Sequence, residues 1–191
     1  MTRITVLQPP GRDDAILPHG YRPRMAAAME ELALAVYQET TLSFREAEAA
    51  RIRIAFINGC LMCQGYRIAE MLPGMMRDMD AAEAPNTKGR GEAPGEEFYR
   101  AASGEGWRMS DLFSARERLA IEYAEKIALT PAPLPNDDDL WERLHANFDE
   151  GEIADLSYSI TCWIATGRMV HILGLDGSCD VGAGPQAVAA E

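Results

Sequence analysis

The stretch from Glu48 to Arg67 reads EAARIRIAFINGCLMCQGYR, and few backbones suit its centre, Asn58-Gly59 followed by Cys60-Leu-Met-Cys63. Asn-Gly is a turn signal. Before it, Phe44 to Phe56 is amphipathic at helical spacing, with Phe44, Ala47, Ile52, Ala55 and Phe56 as its apolar set and Glu48 on its polar side. After it a further helix is expected from about Cys60 to Leu72, ended by Pro73-Gly74. The two helices form a hairpin, and both cysteines fall in the first turn of its second arm. Thiols so spaced can close a disulfide with little backbone movement. Unpaired N–H groups and the helix dipole there favour thiolate over thiol. In an antiparallel hairpin, position 51 faces 67 and position 48 faces 70. Glu48 and Arg67 are then one turn out of register, and their long side chains are predicted to pair near Cys63.

The rest of the chain reads as helices. Aliphatic residues and alanine are plentiful and aromatics make up only 7%, which favours helix packed on helix. Arg24 to Thr40 carries a stripe of Met25, Met29, Leu32 and Val36 behind Pro23. Ser43-Phe-Arg-Glu46 and Ser114-Ala-Arg-Glu117 are capping boxes. Asn136 to Asp139 caps a helix reaching about Phe148, and Glu150 to Leu173, apolar on most faces after Ile153, is expected to be central or at a subunit contact. Residues 74–106 are the least regular, with Phe98 to Ala102 good for a turn or two of helix. Met75, Met76 and Met79 there could fill core gaps or line a substrate mouth. The expected division is an arm over 1–23, one domain over 24–175 and a small-residue tail over 176–191.

A formal net charge of −12 argues against a nucleic-acid or anionic-membrane partner. The chain has no apolar run long enough to span a bilayer, and Met1 to Pro10 lacks the features of a signal peptide. A cytoplasmic location is expected, where C-x-x-C is more often redox-active or metal-binding than structural. Metal is the weaker reading. Cys162 and Cys179 form no second close pair, and His19, His145 and His171 fall in unrelated segments. Cys162 is read as a core residue, His19 as an ordinary loop residue, and Arg168 as a structural group pairing with a core carboxylate.

A glutamate twelve residues before C-x-x-C resembles the alkylhydroperoxidase AhpD family, within the carboxymuconolactone decarboxylase-like superfamily. Glu48, Cys60 and Cys63 match its pattern. The histidine expected four residues past the second cysteine is replaced by Arg67, and the one just before that cysteine by Met62. The runs FSARERLAIEYAEKIAL and LWERLHANFDEGEIADLSYSITCWIATGRM follow the order of the family's flanking helices, so the resemblance spans roughly Met25 to Leu175.

The resemblance implies an all-α, AhpD-like helical bundle that associates as a homo-oligomer, with dimer, trimer and hexamer all open. It implies a thiol oxidoreductase that reduces peroxides or disulfides without a cofactor. Glu48, Cys60, Cys63 and Arg67 are the candidate catalytic residues, and a dithiol donor, in the family a lipoyl group on a carrier, restores the thiols. Glu48 is expected to act as a base or to orient one. Arginine stays protonated, so Arg67 can hold a thiolate by charge but cannot relay a proton as histidine can. Two alternatives stand beside this reading: a cofactor-free decarboxylase of the carboxymuconolactone type, and a non-catalytic redox-sensing oligomer.

Overall fold

The computed structural model describes residues 2–8, 10–11, 17–78 and 90–177, with no side chains described over 75–78. It is built of α1 (Pro23–Gln38), α2 (Phe44–Ile57), α3 (Leu61–Gly65), α4 (Ile68–Asp78), α5 (Glu96–Ser103), α6 (Ala115–Leu129), α7 (Asp138–Asn147) and α8 (Glu150–Ile172). Two 3-10 turns, Glu105–Met109 and Leu134–Asn136, complete the order. No strand occurs among the described residues.

Local signals set most of the helix starts. Ser43 and Ser114 each accept from the backbone N–H three residues on, and Glu46 and Glu117 reach back to complete both capping boxes. A third box, Asp149 with Glu152, opens α8. Asp137 caps α7 through the N–H of Leu140. Gly174, at φ 66°, follows the end of α8 in the left-handed conformation that glycine adopts freely.

α2 is the hub. It packs against α3, α4, α5, α6 and α8, and every residue from Glu46 to Ala55 is buried. The main core joins it to α1, α6, α7 and α8 through residues such as Ile54, Leu140, Leu144, Leu156 and Ile160. A second cluster, including Ile52, Phe98, Tyr99, Trp107 and Ile121, fills the space toward α5 and α6. A third gathers Leu17, Ala26, Cys60, Val170 and Leu175, so the segment before α1 lies against the cysteine turn. That segment is tied down by backbone bonds from Gly20 to Leu7 O and from Arg3 to Leu173 O.

Several expectations are corrected. Phe56, expected on the core-facing side of its helix, is 42% exposed, and Met25 and Leu32 of the first apolar stripe are 67% and 45% exposed. The hub is the charged α2, while the apolar α8 packs one face on α1, α2 and α6 and turns Tyr158 and Ile172 outward. His19 is a buried residue of the arm, its Nε2 2.6 Å from Glu30 Oε1. Arg168 is exposed and pairs with no carboxylate among the described residues; its Nε donates to Asn58 Oδ1 and its Nη2 to Ala128 O. Within the irregular stretch, α5 supplies the two turns of helix expected around Phe98, and Arg90 is buried with Nε on Leu42 O and its guanidinium 4.8 Å above the Phe44 ring. Met79 and Cys179 lie outside the described residues, as do the side chains of Met75 and Met76.

Cys162 is a core residue. Burial pushes its thiol up to about 11, so it stays protonated.

Candidate functional site

Asn58-Gly59 makes the predicted turn, Gly59 taking φ 69°. Cys60 follows as the N-cap of α3, its Sγ accepting from the N–H of Cys63 at 3.3 Å. The two sulfurs are joined in a disulfide with Cα atoms 5.3 Å apart. Cys60 has no exposed surface, whereas Cys63 is partly exposed. Cys63 packs toward both the α5 cluster and the cluster beneath the arm.

The helix expected from Cys60 to Leu72 is broken, and buried charge accounts for the break. Tyr66, at ψ 139°, leaves the helical conformation, and α4 restarts at Ile68. Such a break frees backbone groups that must find partners in the interior. Glu48 and Arg51 supply them. Arg51 donates through Nη1 to Cys63 O and through Nη2 to Tyr66 O, both at 2.6 Å. Glu48 Oε1 accepts from the Ile68 N–H at 2.6 Å. The two side chains meet as Arg51 Nε to Glu48 Oε2 at 2.6 Å, with Glu48 only 1% exposed. Pro73 then sits inside α4 instead of ending it.

Glu48 therefore pairs with Arg51, its neighbour at i+3, and not with Arg67 as the hairpin register predicted. Arg67 turns the other way. Its Nε and Nη2 grip the two Glu96 oxygens at 2.9 and 3.0 Å, and its Nη1 bonds Gln64 O and Tyr66 O. Its guanidinium also lies 3.8 Å over the Tyr99 ring. Burial works against its charge, but Glu96 outweighs it and raises Arg67 further. Tyr99 completes the inner side by donating its hydroxyl to Glu48 Oε1 at 2.9 Å. Burial first, then the Glu48 charge, push the Tyr99 phenol well above its usual range, so it remains a donor.

The structure brings Glu48, Cys60 and Cys63 to one turn, and with them Arg51 and Tyr99, which the sequence had not singled out. Arg51 had a usable signal, since an arginine at i+3 from a glutamate shares its helix face. Tyr99 had none, being 51 residues from Glu48 in sequence.

The outer side of the turn meets α8. Asn58 Nδ2 donates to Trp163 O at 3.0 Å, and a Cβ on Gly167 would stand 2.7 Å from that Nδ2 and 3.5 Å from Cys63 Sγ. One helical turn on, His171 lies against Gly59, where a Cβ would meet its Nε2 at 3.1 Å. His171 Nδ1 is 2.9 Å from Asp176 Oδ2, and the same oxygen accepts from the Leu61 N–H at 3.1 Å. Sequence reading had set His171 apart as belonging to an unrelated segment; the fold brings it to the cysteine turn.

The helical bundle is AhpD-like in fold. A solved structure from Agrobacterium tumefaciens, a protein of unknown function proposed as the antioxidant defence protein AhpD, matches with a TM-score of 0.59 at 22% identity, over 91% of this chain and 96% of that one. No family model matches the chain. Among curated proteins, the uncharacterized YnjA of Escherichia coli K12 is 49% identical over 51 residues, 27% of each chain. The uncharacterized YdfG of Bacillus subtilis 168 is 26% identical over 120 residues, covering 62% of this chain and 67% of that protein. The chain thus spans about a quarter of the first of these relatives. No helix among the described residues is long and apolar enough to cross a membrane.

Proposed function

We propose that the protein is a thiol-dependent oxidoreductase of AhpD-like type, reducing peroxides or disulfides through Cys60 and Cys63. The observation that carries this reading is the asymmetry of the pair: joined as a disulfide, with Cys60 sealed and Cys63 reachable. In the reduced state the Cys63 thiolate attacks a peroxide oxygen, forming a sulfenic acid and releasing an alcohol or water. Cys60 then attacks Cys63 Sγ, closing the disulfide and expelling water. A dithiol donor reverses this. Its first thiolate attacks Cys63, the partly exposed member of the pair, and releases Cys60, whose sulfur keeps the Cys63 N–H as a hydrogen-bond donor. The donor's second thiol then frees Cys63. Small dithiols suit this exchange, as does a lipoyl group borne on a carrier protein.

In this scheme Glu48 orients rather than exchanges protons, because its oxygens already accept from Arg51, Ile68 and Tyr99. Its effect reaches the thiols through Arg51 and the Cys63 carbonyl. Arg67, neutralised by Glu96 and stacked on Tyr99, braces the α3–α4 junction against α5.

The test is peroxide consumption and the redox potential of the pair in wild type, Cys60→Ser, Cys63→Ser and Arg67→Met. Turnover that requires both cysteines, a reversible disulfide, and Arg67→Met retaining most activity are the expected results. Absence of both turnover and reversible exchange sinks the reading. Turnover of a lactone acid surviving loss of both cysteines would point to a lyase instead.

A further inference from the structure

Three arginines are buried among the described residues, and two of them are paired: Arg51 with Glu48, and Arg53 with Glu105 and Glu125. Arg90, only 2% exposed, forms no ion pair among the described residues. Its Nε donates to Leu42 O at 2.8 Å, and the Phe44 ring covers one face of its guanidinium at 4.8 Å. Nη1 and Nη2 are both sealed from solvent, and neither has a hydrogen-bond partner. All but one of the side chain's N–H donors therefore lack an acceptor. A buried charge in this state is expensive, because nothing replaces the water it has lost.

The surroundings do not make up the deficit. Glu48 and Asp155 are the carboxylates whose charge is felt at Arg90. Glu48 is committed to Arg51, Ile68 and Tyr99, and Asp155 holds the N–H and hydroxyl of the exposed Thr41. Tyr37, the other group within electrostatic reach, accepts from Trp163 Nε1 at 3.1 Å. Against its ring, 6.1 Å between centres, lies Tyr66, whose buried hydroxyl also has no partner. Burial pulls Arg90 below its ordinary value, whereas the carboxylates on Arg67, Arg116 and Arg143 outweigh burial and raise them. Arg51 and Glu48 cancel, so Arg90 is left as uncancelled positive charge in this part of the core. What is missing beside it is a negatively charged acceptor.

We propose that Arg90 anchors a buried anion site whose occupant is a small monovalent ion of chloride size, held by Nη1 and Nη2. A single charge balances the one left uncancelled. Enclosure sets the size, since an organic acid or a phosphate needs the open approach that these two nitrogens lack. It also favours chloride and bromide over fluoride, which gives up its water far less readily. The way in is short: Gly91 and Thr41, the sequence neighbours of Arg90 and Leu42, are both exposed. The ion serves the hub helix. Arg90 O accepts from the N–H of Phe44, the first residue of α2, at 2.8 Å, so the residue that holds the ion also clips the start of the helix carrying Glu48.

The experiment measures the melting temperature of wild type and Arg90→Met in sodium chloride, bromide or fluoride, with gluconate holding the ionic strength constant. A ligand that binds only the folded state stabilises it with the logarithm of its concentration. Wild type should therefore melt about 2–4 °C higher once chloride reaches several times its dissociation constant, respond likewise to bromide, and not respond to fluoride. Arg90→Met should melt at one temperature in all three salts, whatever that temperature is. Crystals of wild type grown in bromide should carry an anomalous peak within hydrogen-bonding reach of Nη1 and Nη2. Wild type indifferent to the halide, or a halide response that Arg90→Met keeps, would overturn the proposal. So would density beside Arg90 without anomalous signal, the mark of a bridging water, or bromide found on the surface alone, an adventitious ion only. If Arg90→Met does not fold, the wild-type halide series and the bromide peak decide. Neither readout involves the thiols, so the site stands or falls apart from the oxidoreductase reading.

Discussion

α2 and α8 meet along one face, and each contradicts what its composition promises. α2 carries Arg45, Glu46, Glu48, Arg51 and Arg53, yet it lies at the centre. α8 is apolar along most of its length, yet Tyr158 and Ile172 face outward, each 67% exposed. Charge can be buried when each group has a partner that also meets its hydrogen-bonding needs. Every ionised side chain of α2 has one: Arg45 with Glu117, Glu46 with Arg116, Glu48 with Arg51, and Arg53 with Glu105 and Glu125. Burial alone would raise the Glu46 carboxyl, but Arg116 and Ser43 outweigh it and hold it below 4.5. Hydropathy ranks residues one at a time and cannot see such pairing.

The largest effect is expected at the Glu48–Arg51 pair. Removing one partner of a buried pair costs about 3–5 kcal/mol because the other charge is left uncompensated. Glu48→Gln should lose that much in denaturant unfolding. The sharper prediction concerns the double replacement Glu48→Leu with Arg51→Met. An ordinary buried pair can be exchanged for apolar residues of like volume at little cost. Here the exchange also strips these partners from Cys63 O and Ile68 N, each worth about 1–3 kcal/mol when buried and unpaired, while Tyr66 O keeps Arg67 Nη1. The double variant should be no more stable than the single. If it recovers wild-type stability, the pair does not hold the α3–α4 break.

That break marks where the sequence stops being legible. The capping boxes at Ser43 and Ser114, the Asn58-Gly59 turn and the placement of Cys60 and Cys63 depend on neighbours within four residues, and all stand as read. The all-α, AhpD-like architecture was legible for the same reason, through helical period and motif spacing. The partner of Glu48 was not. Ideal hairpin geometry paired it with Arg67 by assuming an unbroken helix after Cys60, while the actual chain departs from helix at Tyr66 to meet Arg51. Tyr99 and His171 arrive from 51 and 112 residues beyond Glu48 and Gly59 respectively, and only tertiary packing joins them to the turn. Met25, Leu32 and Phe56 fit a helical stripe, but periodicity fixes a face without fixing what covers it.

A middle-sized effect is expected where the two helices lock. Gly167 lets α8 approach the turn so closely that an added methyl group would stand 2.7 Å from Asn58 Nδ2. Asn58 cannot step aside cheaply, since Trp163 O holds its amide nitrogen and Arg168 its amide oxygen. Overpacking of this kind costs about 1–3 kcal/mol. Gly167→Ala should lower the midpoint of unfolding accordingly. It should also speed reduction of the disulfide by dithiothreitol, because pushing α8 outward uncovers Cys63 Sγ. A stable Gly167→Ala variant with unchanged exchange would mean that α8 does not set access to that sulfur.

The smallest effect on stability belongs to the outward face of α8. Tyr158 touches neither the cysteine turn nor the pairs along α2, and a substitution at such an exposed position changes stability by about 0.5 kcal/mol or less. Tyr158→Glu should unfold like wild type. Ala154, Thr161, Ala165, Arg168 and Ile172 continue the same exposed face along the helix, mostly small or apolar surface with a single cation toward its end. If the homo-oligomer expected from the sequence forms through this face, a carboxylate at its centre must be desolvated on association, and light scattering should record a smaller particle for Tyr158→Glu at equal concentration. Unchanged mass would move the subunit contact elsewhere, with the exposed Met25 and Leu32 of α1 next to be tested. A monomeric wild type would instead leave α8 as a helix whose apolar outer face meets water. The contrast with α2 would then rest on α2's paired charges alone.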